Sequence, residues 1–255
     1  MIANYHTHTR WCNHGIGEIE DYIEAAIKVG LKEIAITEHV PREDNLDFER
    51  MRWEEFEAYN KELDEAIEKY KTQIKVIKGF ECEYYPEDMA VYKRFRECYG
   101  YEVFVLGQHT NKEKTIDNFG LKNKEALAIY ADEVCEALET GFFTFVAHPD
   151  LVLHNYNNGE WDIYCEKAMR QIFATCERLN VPVEINANGL RNKKQYPNRK
   201  AWALSKEYKL TYLINSDAHK PEVIYDEAVK ATEALTEELG IKVTLTLKAC
   251  SNHLE

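Results

Sequence analysis

A regular alternation constrains this chain more than any other feature of its sequence. Short apolar runs rich in β-branched residues fall at 2–8, 33–39, 74–81, 101–109, 142–148, 182–186 and 210–217. Between them lie longer stretches with helical spacing. The first of these places Ile16, Ile19, Tyr22, Ile23, Ala26 and Ile27 three or four residues apart and stops at Gly30, a usual residue just past a helix end. Similar patterns run over 53–70, 87–98, 123–138, 162–179, 199–208 and 221–239. Strands alternating with helices predict parallel βα units. Seven such units, with a weaker eighth strand at 243–247, suit a closed barrel in a chain of 255 residues. No low-complexity linker or repeat interrupts the pattern, so one domain spanning 1–255 is the simplest organisation. An open doubly wound sheet is the alternative, but no glycine-rich phosphate loop follows the first strand.

Nearly every predicted strand ends in a residue able to bind a metal ion. The ends read YHTH, TEH, GFE, GQH, AHPD and NSDAH. The C-terminal ends of barrel strands share one mouth, so His6, His8, His39, Glu81, His109, His148, Asp217 and His219 are expected to converge there, joined by His14 from the first loop. Seven of the nine histidines belong to this set. Taken singly, each motif has an ordinary reading, because a histidine at a strand end also serves to satisfy a buried polar group. Six strand ends at once are a different matter, since a multinuclear site requires that arrangement and packing does not. Nine donors exceed the coordination of one ion, which implies two or three. Imidazole and carboxylate without thiolate suit Zn, Mn or Fe in a water-accessible cluster.

Composition narrows the partners. The net charge of −13 disfavours long-range attraction to nucleic acid or an anionic membrane, so no nucleic-acid partner is expected and a small ligand gripped locally is. No basic start leads into an apolar run, and no stretch approaches the roughly 18 apolar residues of a membrane helix. A cytoplasmic protein is the default expectation. The seven cysteines form no CxxC pair and read as reduced thiols. The terminal Leu254 and Glu255 have the look of a cloning remnant.

The runs HTHTRWCNHG, AITEHVP, KGFECEY, LGQH, AHPD, EINANGLR and NSDAHKP resemble the polymerase-and-histidinol-phosphatase superfamily over essentially the whole chain, and most closely its histidinol-phosphate phosphatase branch. The resemblance implies a distorted (β/α)7 TIM-like barrel with three metals and hydrolysis of a small phosphate monoester, most specifically L-histidinol phosphate in histidine biosynthesis. Phosphodiester cleavage, or a phosphatase for another metabolite, is the alternative within the family. Carried over position by position, His6, His8, Glu81 and Asp217 would surround one metal, and His14, His39 and His219 a second. The third would take His109, His148 and a shared Glu81. Glu81, Asp217 and His219 would be catalytic. The fourth-strand GQH departs from the Ser-Val-His of many members, which alters the pocket wall and leaves the ligand intact.

Arg191, just past the sixth strand, is the candidate phosphate clamp, because a guanidinium fork matches two phosphate oxygens. Arg42 is a second candidate and Arg10 a weaker one. Asp150, Glu43 and Glu83 are candidates to face a cationic substrate group or to protonate the leaving alcohol. Tyr84, Tyr85, Trp11 and Trp161 read as core or rim, since aromatics beside strands mostly pack.

Overall fold

The computed structural model describes residues 1–247; Cys250, Leu254 and Glu255 lie outside the described residues. Seven parallel strands follow one another in sequence order around a nearly closed barrel. They are β1 (Ala3–Asn4), β2 (Glu33–His39), β3 (Lys75–Cys82), β4 (Val103–Leu106), β5 (Phe145–Val146), β6 (Val183–Asn186) and β7 (Tyr212–Asn215). Helices α1 (Ile19–Lys28), α2 (Phe56–Tyr70), α3 (Met89–Tyr99), α4 (Lys124–Glu139) and α5 (Ile163–Leu179) connect successive strands from β1 to β6. Between β6 and β7 lie α6 (Asn188–Arg191) and α7 (Arg199–Ser205), and α8 (Glu227–Leu239) follows β7. None of the helices among the described residues is long and apolar enough to cross a membrane.

The two-residue period of the strands divides the core into two layers. Ala35, Ile77, Val103, Val105, Phe145 and Leu213 fill the barrel interior with Ala3 and Tyr5. Their neighbours Ile34, Ile36, Phe80, Phe104, Val146 and Ile185 face the helices. On β6 the outward positions are Val183 and Ile185, which turns Glu184 and Asn186 inward, and both are fully buried. β6 therefore turns two polar residues into the barrel, where Asn215 of β7 meets Glu184.

The seam between β1 and β7 closes through side chains as much as backbone. Asn4 Oδ1 accepts from Ser216 N (2.7 Å), and Asn215 Oδ1 accepts from Tyr5 N (2.8 Å). His8 N then donates to Ala218 O (2.8 Å), beside a single parallel bridge between Thr7 and Ala218. This substitution explains why the run 2–8 yields a regular ladder only at Ala3–Asn4.

Two other expectations are corrected. The eighth run, 243–247, is no barrel strand: Val243 makes one isolated bridge to Tyr212, after which Leu247 N donates to Tyr5 OH and its side chain packs on the interior cluster. The segment crosses the barrel floor because β1 already occupies the place beside the upper part of β7. The loop after β6 contains the short α6, which a four-residue helix gives too little periodicity to reveal.

Candidate metal centre

Two strands deliver their ligands by simple alternation. Ala35 and His39, and Ile77 and Glu81, stand at even separations, so the floor residue and the ligand share the inner face. β2 and β3 pair with His39 directly opposite Glu81. Two ligands need a special backbone: His148 has φ 28° and Asp217 φ 46°, in the left-handed region that non-glycine residues seldom adopt. Such strain at two of nine proposed ligands marks a site that the surrounding structure holds in place.

Glu81 lies at the centre with 2% exposure. Its Oε2 is 3.3 Å from His6 Nε2, 3.3 Å from His8 Nε2 and 3.2 Å from His39 Nδ1. Its Oε1 is 3.3 Å from His109 Nε2 and 3.0 Å from His148 Nε2. Asp217 Oδ1 stands 3.7 Å from His6 Nε2 and 3.4 Å from His8 Nε2. Two donors each about 2.1 Å from one tetrahedral ion lie roughly 3.4 Å apart, so these separations fit a metal.

Unpartnered atoms support the same fit. His6 Nε2, His8 Nε2 and Asp217 Oδ1 are buried without a hydrogen-bond partner, and all three point at one another. Leaving a buried polar atom unsatisfied costs about 1–3 kcal/mol, which a bound cation would remove. At the outer edge His14 Nδ1 donates to Cys12 O and His219 Nδ1 to Asp217 O, because a carbonyl only accepts. In neutral rings this leaves two bare Nε2 atoms facing each other at 2.9 Å, a further position for a cation.

Protons mark the centre as well. Burial alone would lower the pKa of His6, but Glu184, Asp217 and Glu81 outweigh it and raise it well above the ordinary value. His109 is likewise raised to about 10, with Glu81 and Glu83 overcoming burial. His8 goes the other way, to about 3, through burial and the neighbouring His219. The carboxyl of Asp217 stays below the usual range because His6, His219 and His8 more than offset its burial. Without metal, these surroundings favour charge on Glu81 and Asp217 and protons on His6 and His109.

Residues not picked out from the sequence hold these ligands. Glu184 accepts from His6 Nδ1 (2.8 Å), His148 N (2.9 Å), Asn186 Nδ2 (2.9 Å) and Asn215 Nδ2 (3.0 Å). Asn186 and Asn188 donate to Asp217 Oδ2 at 3.1 and 3.2 Å, leaving Oδ1 for the centre. The available signal for Glu184 was a carboxylate between Val183 and Ile185 in a strand otherwise buried.

Gly107 is required by close approach. A Cβ there would lie 2.1 Å from Glu81 Oε1. Gly107→Ala is therefore expected to push Glu81 off its histidines and lower metal content and activity together, while circular dichroism shows the barrel intact. Normal metal content in that variant would contradict the central place given to Glu81.

A cavity of about 1190 Å³ opens above the cluster and is walled in part by Arg42, Tyr85, Lys114, Phe119 and Arg191. All five donors of Arg191 are engaged: Nε and Nη2 with Asp226, Nη1 with Asn188 Oδ1 and Ser216 O, and Nη2 also with Val223 O. Arg42 pairs with Asp44 (3.1 Å) and Asp88 (2.9 Å) and lies 4.5 Å from the Tyr85 ring. Arg10 is tied to Glu18 and Glu62 on the surface. Asp150 is buried below the site, accepting from Trp202 Nε1 (2.9 Å) and Asn198 N (2.5 Å). Glu83 faces Arg50 and His109, and Glu43 is exposed. Trp11 donates to Glu62, Tyr84 to Glu136, and Trp161 packs on the core.

The chain is similar over 88% of its length to the probable histidinol-phosphatase of Schizosaccharomyces pombe, at 26% identity and 82% coverage of that protein. The probable histidinol-phosphatase of Deinococcus radiodurans matches at 21% identity, covering 95% of this chain and 96% of the relative. Among solved structures, a histidinol phosphate phosphatase from Lactococcus lactis complexed with zinc, L-histidinol and phosphate superposes with a TM-score of 0.75 at 17% identity, covering 94% of each chain. The model of the PHP domain matches residues 4–188, from the first strand through the sixth. The chain belongs to the PHP domain family.

Proposed function

We propose that this chain is a single-domain, metal-dependent phosphomonoesterase that converts L-histidinol phosphate to L-histidinol and phosphate in histidine biosynthesis. The observation that carries this reading is the convergence of His6, His8, His14, His39, Glu81, His109, His148, Asp217 and His219 beneath one open cavity. The family membership and the names of both curated relatives support the choice of reaction and substrate.

Phosphate monoester hydrolysis is so slow unaided that an enzyme must supply on the order of 20 kcal/mol. Two or three divalent ions, of Zn, Mn or Fe, would polarise the phosphoryl oxygens and activate the attacking water. Glu81, Asp217 and His219 are the residues assigned to catalysis. Glu81 offers its two oxygens to different histidine groups, so one carboxylate ties neighbouring positions together. Asp217 presents one oxygen while Asn186 and Asn188 fix the other. His219 is neutral, its pKa lowered chiefly by burial, and keeps its bare Nε2 toward His14 at the outer edge. Arg191 and Arg42 are assigned to the substrate side. With its donors engaged, Arg191 supplies positive field and braces Asn188, which in turn orients Asp217.

Metal uptake must displace the protons on His6 and His109. Those raised pKa values stabilise the metal-free fold below the unfolded value of about 6.5, and that stabilisation is lost as pH rises through about 10 for His109. Metal affinity has the opposite sign and weakens as pH falls. Calorimetric titration at pH 7 in buffers of different ionisation enthalpy is expected to show about two protons released per chain. No release would contradict the proton positions.

The decisive assay measures phosphate release from L-histidinol phosphate, an aryl phosphate and an aryl phosphodiester, with Mn, Zn and Fe(II) each supplied to chelator-treated protein. Strong preference for L-histidinol phosphate is expected. Preferential diester cleavage would replace this reading with a nuclease, and inactivity on all three would overturn the substrate.

A further inference from the structure

The centre's two carboxylate-supported histidines differ in one respect. His6 and His109 each turn Nδ1 toward a buried glutamate, Glu184 at 2.8 Å and Glu83 at 3.2 Å. Such a pairing fixes the tautomer, aims Nε2 inward and raises the basicity of the ligand. Apart from His6, Glu184 takes its hydrogen bonds from neutral amides only, those of His148, Asn186 and Asn215. Glu83 is forked by a cation: Arg50 Nη2 lies 3.1 Å from its Oε1, and Nη1 and Nη2 both lie 3.3 Å from its Oε2.

Arg50 is itself 5% exposed and anchored. It also donates to Val40 O (2.9 Å) and to Asp47 (2.8 Å), so the loop after β2 clamps it in place. Its charge, shared with the exposed Asp47, therefore stands fixed beside Glu83. The position framed by His6 and His8 has two anionic donors, Glu81 and Asp217, and an uncompensated Glu184 behind it. At the position framed by His109 and His148, Glu81 is the carboxylate in contact with both rings, and the carboxylate behind His109 is paired with Arg50.

We infer that the centre is graded, with a cation at His109 and His148 held less tightly than one at His6 and His8, and that Glu83 is the positioning residue that retains the weaker ion. This rests on the reading of the cluster as a metal centre. Arg50 sets the difference by cancelling the charge that would otherwise strengthen His109 as a ligand. The clamp on Arg50 also ties the loop at 43–50, through Glu83, to His109.

The test is a calorimetric titration of chelator-treated protein with MnCl2, read as affinity per step. The unaltered chain is expected to bind in separable steps. Glu83→Gln is expected to weaken the later step by 10–100-fold and leave the first unchanged, whereas Glu184→Gln weakens the first. Because Glu83→Gln removes one of the two carboxylates paired with Arg50 and leaves the exposed Asp47 as the other, the double variant Arg50→Met/Glu83→Gln provides a control of unchanged net charge whose melting curve, metal-free, should match the unaltered chain. Equal loss from both steps, or no loss from either, in a variant that melts normally would overturn the grading. Failure of the unaltered chain to bind Mn at all would instead overturn the metal-centre reading.

Discussion

Asp217→Ala is expected to cut phosphate release at least about a thousandfold, ~4 kcal/mol of barrier, while the barrel still folds. Asp217 is the one anionic donor besides Glu81 that reaches both His6 and His8. Its Oδ1 has no hydrogen-bond partner among the described residues, and Asn186 and Asn188 hold its Oδ2. Alanine removes the charge and leaves those two amides without an acceptor. It also places a residue with no side-chain compensation at φ 46°, where a non-glycine residue costs about 1–2 kcal/mol. Asp217→Asn separates the two effects, since asparagine tolerates that backbone and keeps the shape. Its melting temperature should lie near that of the unaltered protein and its rate near that of the alanine variant. Either variant with normal metal content and rate would remove Asp217 from the site. His39→Ala is expected to follow the same pattern, because His39 alone presents Nδ1 to Glu81.

Exhaustive chelation is expected to abolish activity and lower the Tm by roughly 8–16 °C. The estimate counts a single ion at about a thousand times its dissociation constant, ~4 kcal/mol, and a chain of this size, with further ions adding to it. The sign follows from the charges, since Glu81, Glu83, Glu184 and Asp217 crowd the top of the barrel with exposures of at most 5%. Without ions, protons on His6 and His109 and the guanidinium of Arg50 are the balancing charges. Scanning calorimetry before and after chelation, then after return of Mn, Zn or Fe(II), measures the effect. An unchanged Tm together with retained activity would mean that the cluster is a proton network and not a metal centre.

The alternation of runs disclosed the barrel because period two and period 3.6 are hard to confuse over long elements. β2 falls at its predicted residues, 33–39, and α5 and α2 end where predicted, at Leu179 and Tyr70. The short staves were overdrawn. The run 142–148 forms a ladder only at Phe145–Val146, because its end leaves the sheet to aim His148 through a left-handed backbone. All nine proposed ligands come together, since a strand end fixes direction as well as position. What the sequence hid was the support around them. Glu184 and Arg50 act through pairings 178 and 33 residues away, and no local spacing encodes such contacts. The fork of Arg191 onto Asp226 was hidden for the same reason: an exposed fork and a braced one read alike in a sequence.

The seam between β1 and β7 has a consequence for synthesis. His6 and His8 are synthesised before Asp217 and His219, which face them across the seam and follow more than 200 residues later. A nascent chain synthesised as far as residue 210 already carries seven of the nine proposed donors and lacks the strand that closes around them. The barrel therefore cannot assemble its cluster stepwise from the N-terminus; translation of the last stave is the event that creates it, and the emerging polypeptide is spared a finished metal trap until it can fold shut.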